Sequence, residues 1–263
     1  MINESSPNIF KNKHINGKIL IFGCGNSVAK FIPLKERLHD YFDVIIGCNK
    51  AFTEFDSIMD YHLVTEKTSK ENGYDLSKIL NDGNYNEAMP RLINKKGLDF
   101  YDKNKYNIMP ITRKHHDGNP DLRSYESTNN GKEQAGFFTG PPGTKGLSLG
   151  SVLLQAIHFA CILGTSDIYL IGADMCFKGQ WDHFYKDRYY RDFRGPKAEY
   201  RPKIVKVDGF ETTKYFAQTA TYMDHVIEAM CSPLKINISD FSDGLISKAN
   251  KLNIDLFFCE DKK

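Results

Sequence analysis

The chain has 263 residues, with 35 Lys or Arg against 33 Asp or Glu, a formal net charge of +2. That near-neutral balance gives no global argument for nucleic acid as a partner. Hydrophobic residues at 41% and aromatics at 13% exclude a disordered chain and suit one generous domain.

Residues 1–17 read as a polar, loosely held leader without the apolar stretch of a signal peptide. Lys18–Phe22 (KILIF) is a buried strand that runs into Gly23-Cys24-Gly25-Asn26-Ser27. A helix is expected from about Val28 to Tyr41, with Pro33 in it or at its edge. Strand, glycine turn and helix in succession suit a phosphate, because backbone N–H groups and a helix N-terminus both favour an anion. The motif lacks the third glycine of a dinucleotide fingerprint and the lysine of a P-loop, and a plain turn capped by Ser27 explains it equally.

Asp43–Cys48 predicts the second strand, ending at Asn49. The Asn49 amide suits a ribose or base, or else caps the next turn. Tyr61–Val64 predicts a third strand, and the alternation points to a parallel, doubly wound sheet. Residues 67–136 read as a large insertion with a helix around Asn86–Asn94. His115-His116-Asp117 reads as a solvated loop, since adjacent residues seldom converge on one ion.

Phe137–Gly150 is dense in glycine and leads to an apolar helix at 151–163, which Gly164 ends. Ser148 and Ser151 suit a helix cap or a ligand. The helix is apolar nearly all round, hence central, and too short to span a bilayer. Ile168–Ile171 then predicts a buried strand ending at Gly172-Ala173-Asp174, where open α/β sheets place ligands.

Met175–Lys206 carries nine Lys or Arg against four acids, interleaved with Trp181, Phe184, Tyr185, Tyr189, Tyr190, Phe193 and Tyr200. It reads as a lid or acceptor-binding loop suited to phosphate. Single-stranded nucleic acid uses the same ingredients, but the overall charge disfavours it. His183 is the candidate general base. A helix is expected from Thr212 to about Met230, a strand at Lys235–Ile238, a turn at Asp243-Gly244, a helix near Leu245–Lys251 and a strand at Asp255–Phe258. The six cysteines show no CxxC pair or zinc spacing, so neither disulfides nor structural metal are expected. The expected location is the cytoplasm, free or peripheral to the inner membrane.

Three stretches together carry a resemblance: Gly23–Ser27, Gly150–Asp174 and Val207–Ile246. The second (GSV…LGTSDIYLIGAD) resembles the core block of the MptE-like domain, also found in motility accessory factor (Maf) flagellin glycosyltransferases. The third, VDGFETTKYF…INISDFSDGLI, resembles that family's ending. Bacterial CMP-sialic-acid transferases share the outline, with a G-x-G-x-S-like loop after the first strand and Cys-Asn after the second. Departures are Cys24, the order Gly150-Ser151, and the turn Ser239–Gly244.

The resemblance implies an α/β, single Rossmann-like domain with a mostly parallel sheet, binding a nucleotide-sugar donor. The implied donor is a CMP-linked nonulosonic acid, transferred with inversion to a glycan or protein acceptor and requiring no metal. It implies Gly23, Gly25 and Ser27 at the donor phosphate, with the neighbouring Asn26 in the same loop. Asn49 falls near nucleotide or sugar, Gly150 and Ser151 against base or ribose, and Asp174 at the floor. His183 stands for the catalytic histidine; beside the resemblance, the basic aromatic segment itself offers Tyr185, Arg188, Tyr189 and Tyr190 as stabilisers of the leaving phosphate. Two alternatives stay open: an MptE-like, magnesium-dependent 6-hydroxymethylpterin diphosphokinase using Asp174 and Asp182, and a noncatalytic nucleotide-binding module.

Overall fold

The structure is a computed structural model that describes residues 7–65, 76–115, 121–123, 136–140, 151–177 and 204–257. The strands are β1 (Lys18–Phe22), β2 (Val44–Cys48), β3 (Tyr61–Val64), β4 (Arg91–Asn94), β5 (Ile108–His115), β6 (Gly136–Gly140), β7 (Asp167–Ile171), β8 (Ile204–Val207), β9 (Phe210–Thr213), β10 (Asn237–Asp240) and β11 (Asn250–Lys251). Nine of them form one sheet in the order β11-β10-β7-β1-β2-β3-β4-β5-β6, and every pairing in it is parallel. β8 and β9 form a separate antiparallel hairpin.

Successive side chains of a strand point to opposite faces. In β1, Ile19 and Ile21 join one core cluster, while Leu20 and Phe22 join the other. Both faces are therefore covered, which is why β1 and β2 are nearly continuous apolar runs. The helices are α1 (Phe52–Phe55), α2 (Leu76–Asp82), α3 (Val152–Leu163), α4 (Lys214–His225) and α5 (Ile254–Phe257). α3 covers β1, β2, β3 and β6, and every residue from Leu153 to Leu163 is buried. Burying each large apolar side chain contributes about 1.5–3 kcal/mol, so α3 is a principal stabiliser of the sheet. Gly164 ends α3 at φ 95°, which only glycine adopts without strain.

Several elements differ from the sequence reading. The first helix runs from Asn26 to Asp40 and is of 3-10 type. Pro33 within it has no N–H and crowds the preceding turn, which disfavours α-helical bonding. The segment read as an insertion supplies β4 and β5 and leads into β6, and all three extend the main sheet. Arg91–Asn94 is strand, not helix: Leu92 and Ile93 fall in opposite clusters, and Pro90 would interrupt a helix over Asn86–Asn94.

Within the leader, residues 7–17 are held. The N–H groups of Asn12, His14 and Asn16 bond the carbonyls of Ile162, Leu163 and Gly164, and Phe10 packs edge-on to Tyr61 and Phe159. These bonds satisfy carbonyls that the end of a helix leaves open.

At the C-terminus the expected helix and strand exchange places. Leu245 N–H bonds the Asp174 carbonyl, while Ser247 and Lys248 N–H bond the Asp224 carboxylate. Those donors serve distant acceptors, so no helix forms at Leu245–Lys251. Residues 254–257 instead form α5, and Phe257 packs against Phe42, Tyr169 and Phe241. Ile204–Lys206, read as the end of the lid, belongs to β8. Among the described residues no helix is long and apolar enough to cross a membrane.

Candidate functional site

All strands of the main sheet are parallel, so their C-terminal ends share one edge. From β1 the chain moves one way through β2 to β6, then returns through α3 to β7 on the other side of β1. The order reverses between β1 and β7, and such a switch point is where open α/β sheets place ligands. Gly23–Ser27 follows β1 there, and Gly172–Asp174 follows β7.

The two loops are packed on each other. Gly23 N–H donates to the Ile171 carbonyl at 2.7 Å and Gly25 N–H to the Gly172 carbonyl at 2.9 Å. A Cβ at Gly23 would strike the Gly172 carbonyl, and one at Gly25 the Asp174 carboxylate. The glycines are thus required by the approach of the chain to itself.

Asp174, buried, lies at the N-terminus of the helix that begins at Asn26. Its Oδ2 accepts from the Ser27 N–H at 3.0 Å and the Ser27 hydroxyl at 2.9 Å. A protein carboxylate therefore takes the anion place that a helix N-terminus offers. The Ser27 oxygen also accepts from Gly172 N–H at 3.0 Å. Ser242 completes the knot: its Oγ accepts from Ala173 N–H at 3.0 Å and lies 3.2 Å from Ser27 Oγ. Ser242 N–H donates to Asp240 Oδ1, and Lys251 Nζ lies 2.6 Å from Asp240 Oδ2. Burial pushes the Asp240 carboxyl up, and the Lys251 charge opposes that shift.

Asn49 ends β2 in the left-handed region, at φ 44°. Its Oδ1 accepts from Thr65 N–H at 3.1 Å, and its carbonyl meets His62 Nε2 at 2.6 Å. Cys24 Sγ donates to the Cys48 carbonyl at 3.3 Å and ties the ends of β1 and β2. Asn26 is half-buried at the start of its helix. Ser151 caps α3, its oxygen accepting from Leu153 N–H at 3.2 Å.

The structure thus brings Gly23, Gly25, Asn26, Ser27 and Asp174 together, with Asn49 and Ser151 also at strand or helix ends on this edge. Ser148, Gly150, Asp182, His183, Tyr185, Arg188, Tyr189 and Tyr190 lie outside the described residues, as do His116 and Asp117 of the histidine loop.

Sequence reasoning missed four participants. Lys50, beside Asn49, is buried although cationic, as is Arg91 on β4. His62 on β3 is fully buried, and desolvation together with the Arg91 charge lowers its pKa to about 3. Ser242 joins the two loops. Only a charged or imidazole side chain inside an apolar run marked Arg91 and His62 in advance. Nothing local marked Ser242.

A cavity of about 390 Å³ lies elsewhere, lined by Phe52, Glu54, Asp56, Asn84, Tyr85 and Asn86 on the segments leading into β3 and β4. Its lining includes none of Gly23–Ser27 or Gly172–Asp174. Among the described residues no group of three His, Cys, Asp or Glu side chains is placed to hold a metal.

One solved structure matches over nearly the whole chain: the Maf glycosyltransferase from Magnetospirillum magneticum AMB-1, at TM-score 0.54 and 15% identity. The fold is Maf-like. The match covers 95% of this chain but 38% of that protein, so this chain spans well under half of its length. No family model and no curated protein matches the sequence.

Proposed function

We propose that this chain is a glycosyltransferase domain taking a nucleotide-activated sugar at the edge shared by β1, β2 and the start of α3. The observation that carries the reading is the switch point between β1 and β7 within a Maf-like fold. The finer reading is a CMP-linked nonulosonic acid donor and a glycan or protein acceptor. The Cys48-Asn49 strand end and the Gly150–Asp174 block support it through their likeness to CMP-sialic-acid transferases.

Asp174 already supplies the anion at the first helix, and a phosphate beside it would meet like charge. The Gly23–Ser27 loop and Asp174 therefore act as the floor. The donor phosphate is assigned to the rim, with Asn49, Lys50 and the basic segment after Phe177. In the transfer step the sugar–phosphate C–O bond breaks and its electron pair leaves with the CMP phosphate. The acceptor oxygen forms the new bond and its proton passes to His183. Arg188, Tyr185, Tyr189 and Tyr190 stabilise the leaving phosphate, where positioned donors have the largest effect.

Calorimetry with CMP, UMP, GMP and ATP, with and without magnesium, tests the reading. Metal-independent CMP binding is expected, together with sugar transfer that His183→Ala abolishes while CMP still binds. Magnesium-dependent ATP binding without CMP binding would replace this reading with the diphosphokinase one. CMP binding with no turnover on any CMP-linked donor would favour a noncatalytic binding module.

A further inference from the structure

A buried polar line crosses one face of the sheet and ends at Asn49. Arg91, fully buried at the start of β4, is its centre. One guanidinium nitrogen bonds Asp56 at 2.8 Å and the Asn86 carbonyl at 2.9 Å; the other lies 2.9 Å from His62 Nδ1. The guanidinium also sits 5.0 Å from the centre of the Tyr106 ring. Arginine only donates, so His62 Nδ1 accepts, and the imidazole proton must be on Nε2. That N–H donates to the Asn49 carbonyl. Burial and the positive Arg91 beside it keep His62 neutral, which preserves this one donor and one acceptor.

The consequence appears at Asn49. At φ 44° its carbonyl is turned to His62, and Thr65 N–H fixes Oδ1. Nδ2 has no partner among the described residues, although Asn49 is only 8% exposed. Nδ2 is not one of the enclosed side-chain atoms left unpaired, so it reaches solvent and is open to a ligand's acceptor.

We propose that His62 and Arg91 are positioning residues for the ligand site: they hold Asn49 in its left-handed turn so that its side-chain amide offers N–H donors alone. The group recognised there is an oxygen acceptor, such as a phosphoryl or carboxylate oxygen of the donor. This inference rests on the proposed donor site only for the ligand's identity. The fixed amide is a property of the free protein.

The test has two readouts. The first is the Asn49 side-chain amide resonance in a ¹H–¹⁵N spectrum of the free protein, assigned by its loss in Asn49→Asp. The second is the calorimetric Kd for CMP. In wild type the amide pair is expected away from the solvent-averaged position. His62→Gln can still donate to the Asn49 carbonyl and should keep it. His62→Leu, folded by its remaining resonances, should lose it and bind CMP about tenfold more weakly, the scale of one hydrogen bond.

An unmoved amide and an unchanged Kd in folded His62→Leu would overturn the proposal. If His62→Leu does not fold, Arg91→Lys serves, since it keeps the charge next to Asp56 but not the fork that reaches His62. An unmoved amide in that variant is equally fatal. If wild type binds no CMP, the donor reading fails and the amide resonance alone decides the positioning role.

Discussion

Ser27 and Asp174, 147 residues apart, are joined by two hydrogen bonds to a single carboxylate oxygen, from the Ser27 N–H at 3.0 Å and its hydroxyl at 2.9 Å. The bonds close the end of β7 onto the end of β1. They make the loop that follows β1 a fixed floor, and they explain why a glycine turn and a distant aspartate sit at one place.

Removing that hydroxyl should be expensive. Ser27→Ala loses the bond to Asp174 and leaves the Gly172 N–H without its acceptor, all in a buried setting. Hydrogen bonds to charged groups contribute about 1.5–3 kcal/mol, and a loss of that size is expected in urea unfolding. A change near zero would mean that Ser27 is not part of the knot.

The sequence showed β1, β2, β3, β7 and α3 because each is a short apolar run bounded by turn residues. It also placed Gly23–Ser27 and Asp174 at strand ends on one edge of the sheet, where the structure packs them together. It did not show that the glycines answer to Gly172 and Asp174, since that approach depends on β1 pairing with β7. β4 was illegible because Arg91 and Asn94 leave only two apolar residues between them, so no apolar run marks it. The end of the chain was misread because its N–H groups bond acceptors such as Asp224 and Asp174, which local pattern cannot anticipate. Arg91 and His62 lay in plain view as polar residues, but only the fold pairs them.

Gly25→Ala should destabilise by steric conflict with Asp174. Overpacking of this kind costs about 1–3 kcal/mol. The conflict is with one side chain above all, so the penalty should shrink when Asp174 is also replaced by Gly. A double-mutant cycle by urea unfolding should show the double variant less destabilised than the two single losses combined. Strict additivity would place the strain elsewhere.

Asp56 neutralises Arg91, whose side chain is wholly buried. Asp56→Ala leaves that charge without its carboxylate, and breaking a buried pair in this way costs about 3–5 kcal/mol. The exposed pair Lys78–Asp82, at the same kind of distance, should contribute less than about 1 kcal/mol when broken by Lys78→Ala. Equal losses in the two variants would contradict the burial argument.

His62 predicts how stability changes with acid. Its folded pKa is lowered from 6.5 to about 3 by burial and by Arg91. Between those values the unfolded chain takes up a proton that the folded chain refuses. The contribution is complete above pH 6.5 and is lost as pH falls toward 3, at up to about 1.4 kcal/mol per pH unit. His62→Gln should remove that slope. Asp240 acts in the opposite sense, because its raised carboxyl protonates first in the folded chain, but it is present in both proteins and cancels in their difference. Urea unfolding at a series of pH values checks this, and parallel profiles would rule the assignment out.

Lys251 and Lys30 make a sharper contrast, since each holds a carboxylate of the same Asp240–Asp243 turn. Lys251 reaches Asp240, whose side chain is fully buried, at 2.6 Å; Lys30 reaches Asp243, which is 65% exposed, at 2.7 Å. Lys30→Met should cost no more than about 1 kcal/mol, because water replaces the lost partner. Lys251→Met leaves a buried carboxylate with its serine partner but no cation, so a loss of about 3 kcal/mol or more is expected at neutral pH. The sign of its pH dependence follows. Without Lys251 the Asp240 carboxyl rises further above its unfolded value, so the penalty is full above that raised pKa and fades as acid protonates the group. The Lys251→Met deficit should therefore narrow on acidification in urea unfolding. A deficit that stays constant with pH would mean that Lys251 acts by packing its stem and not by its charge.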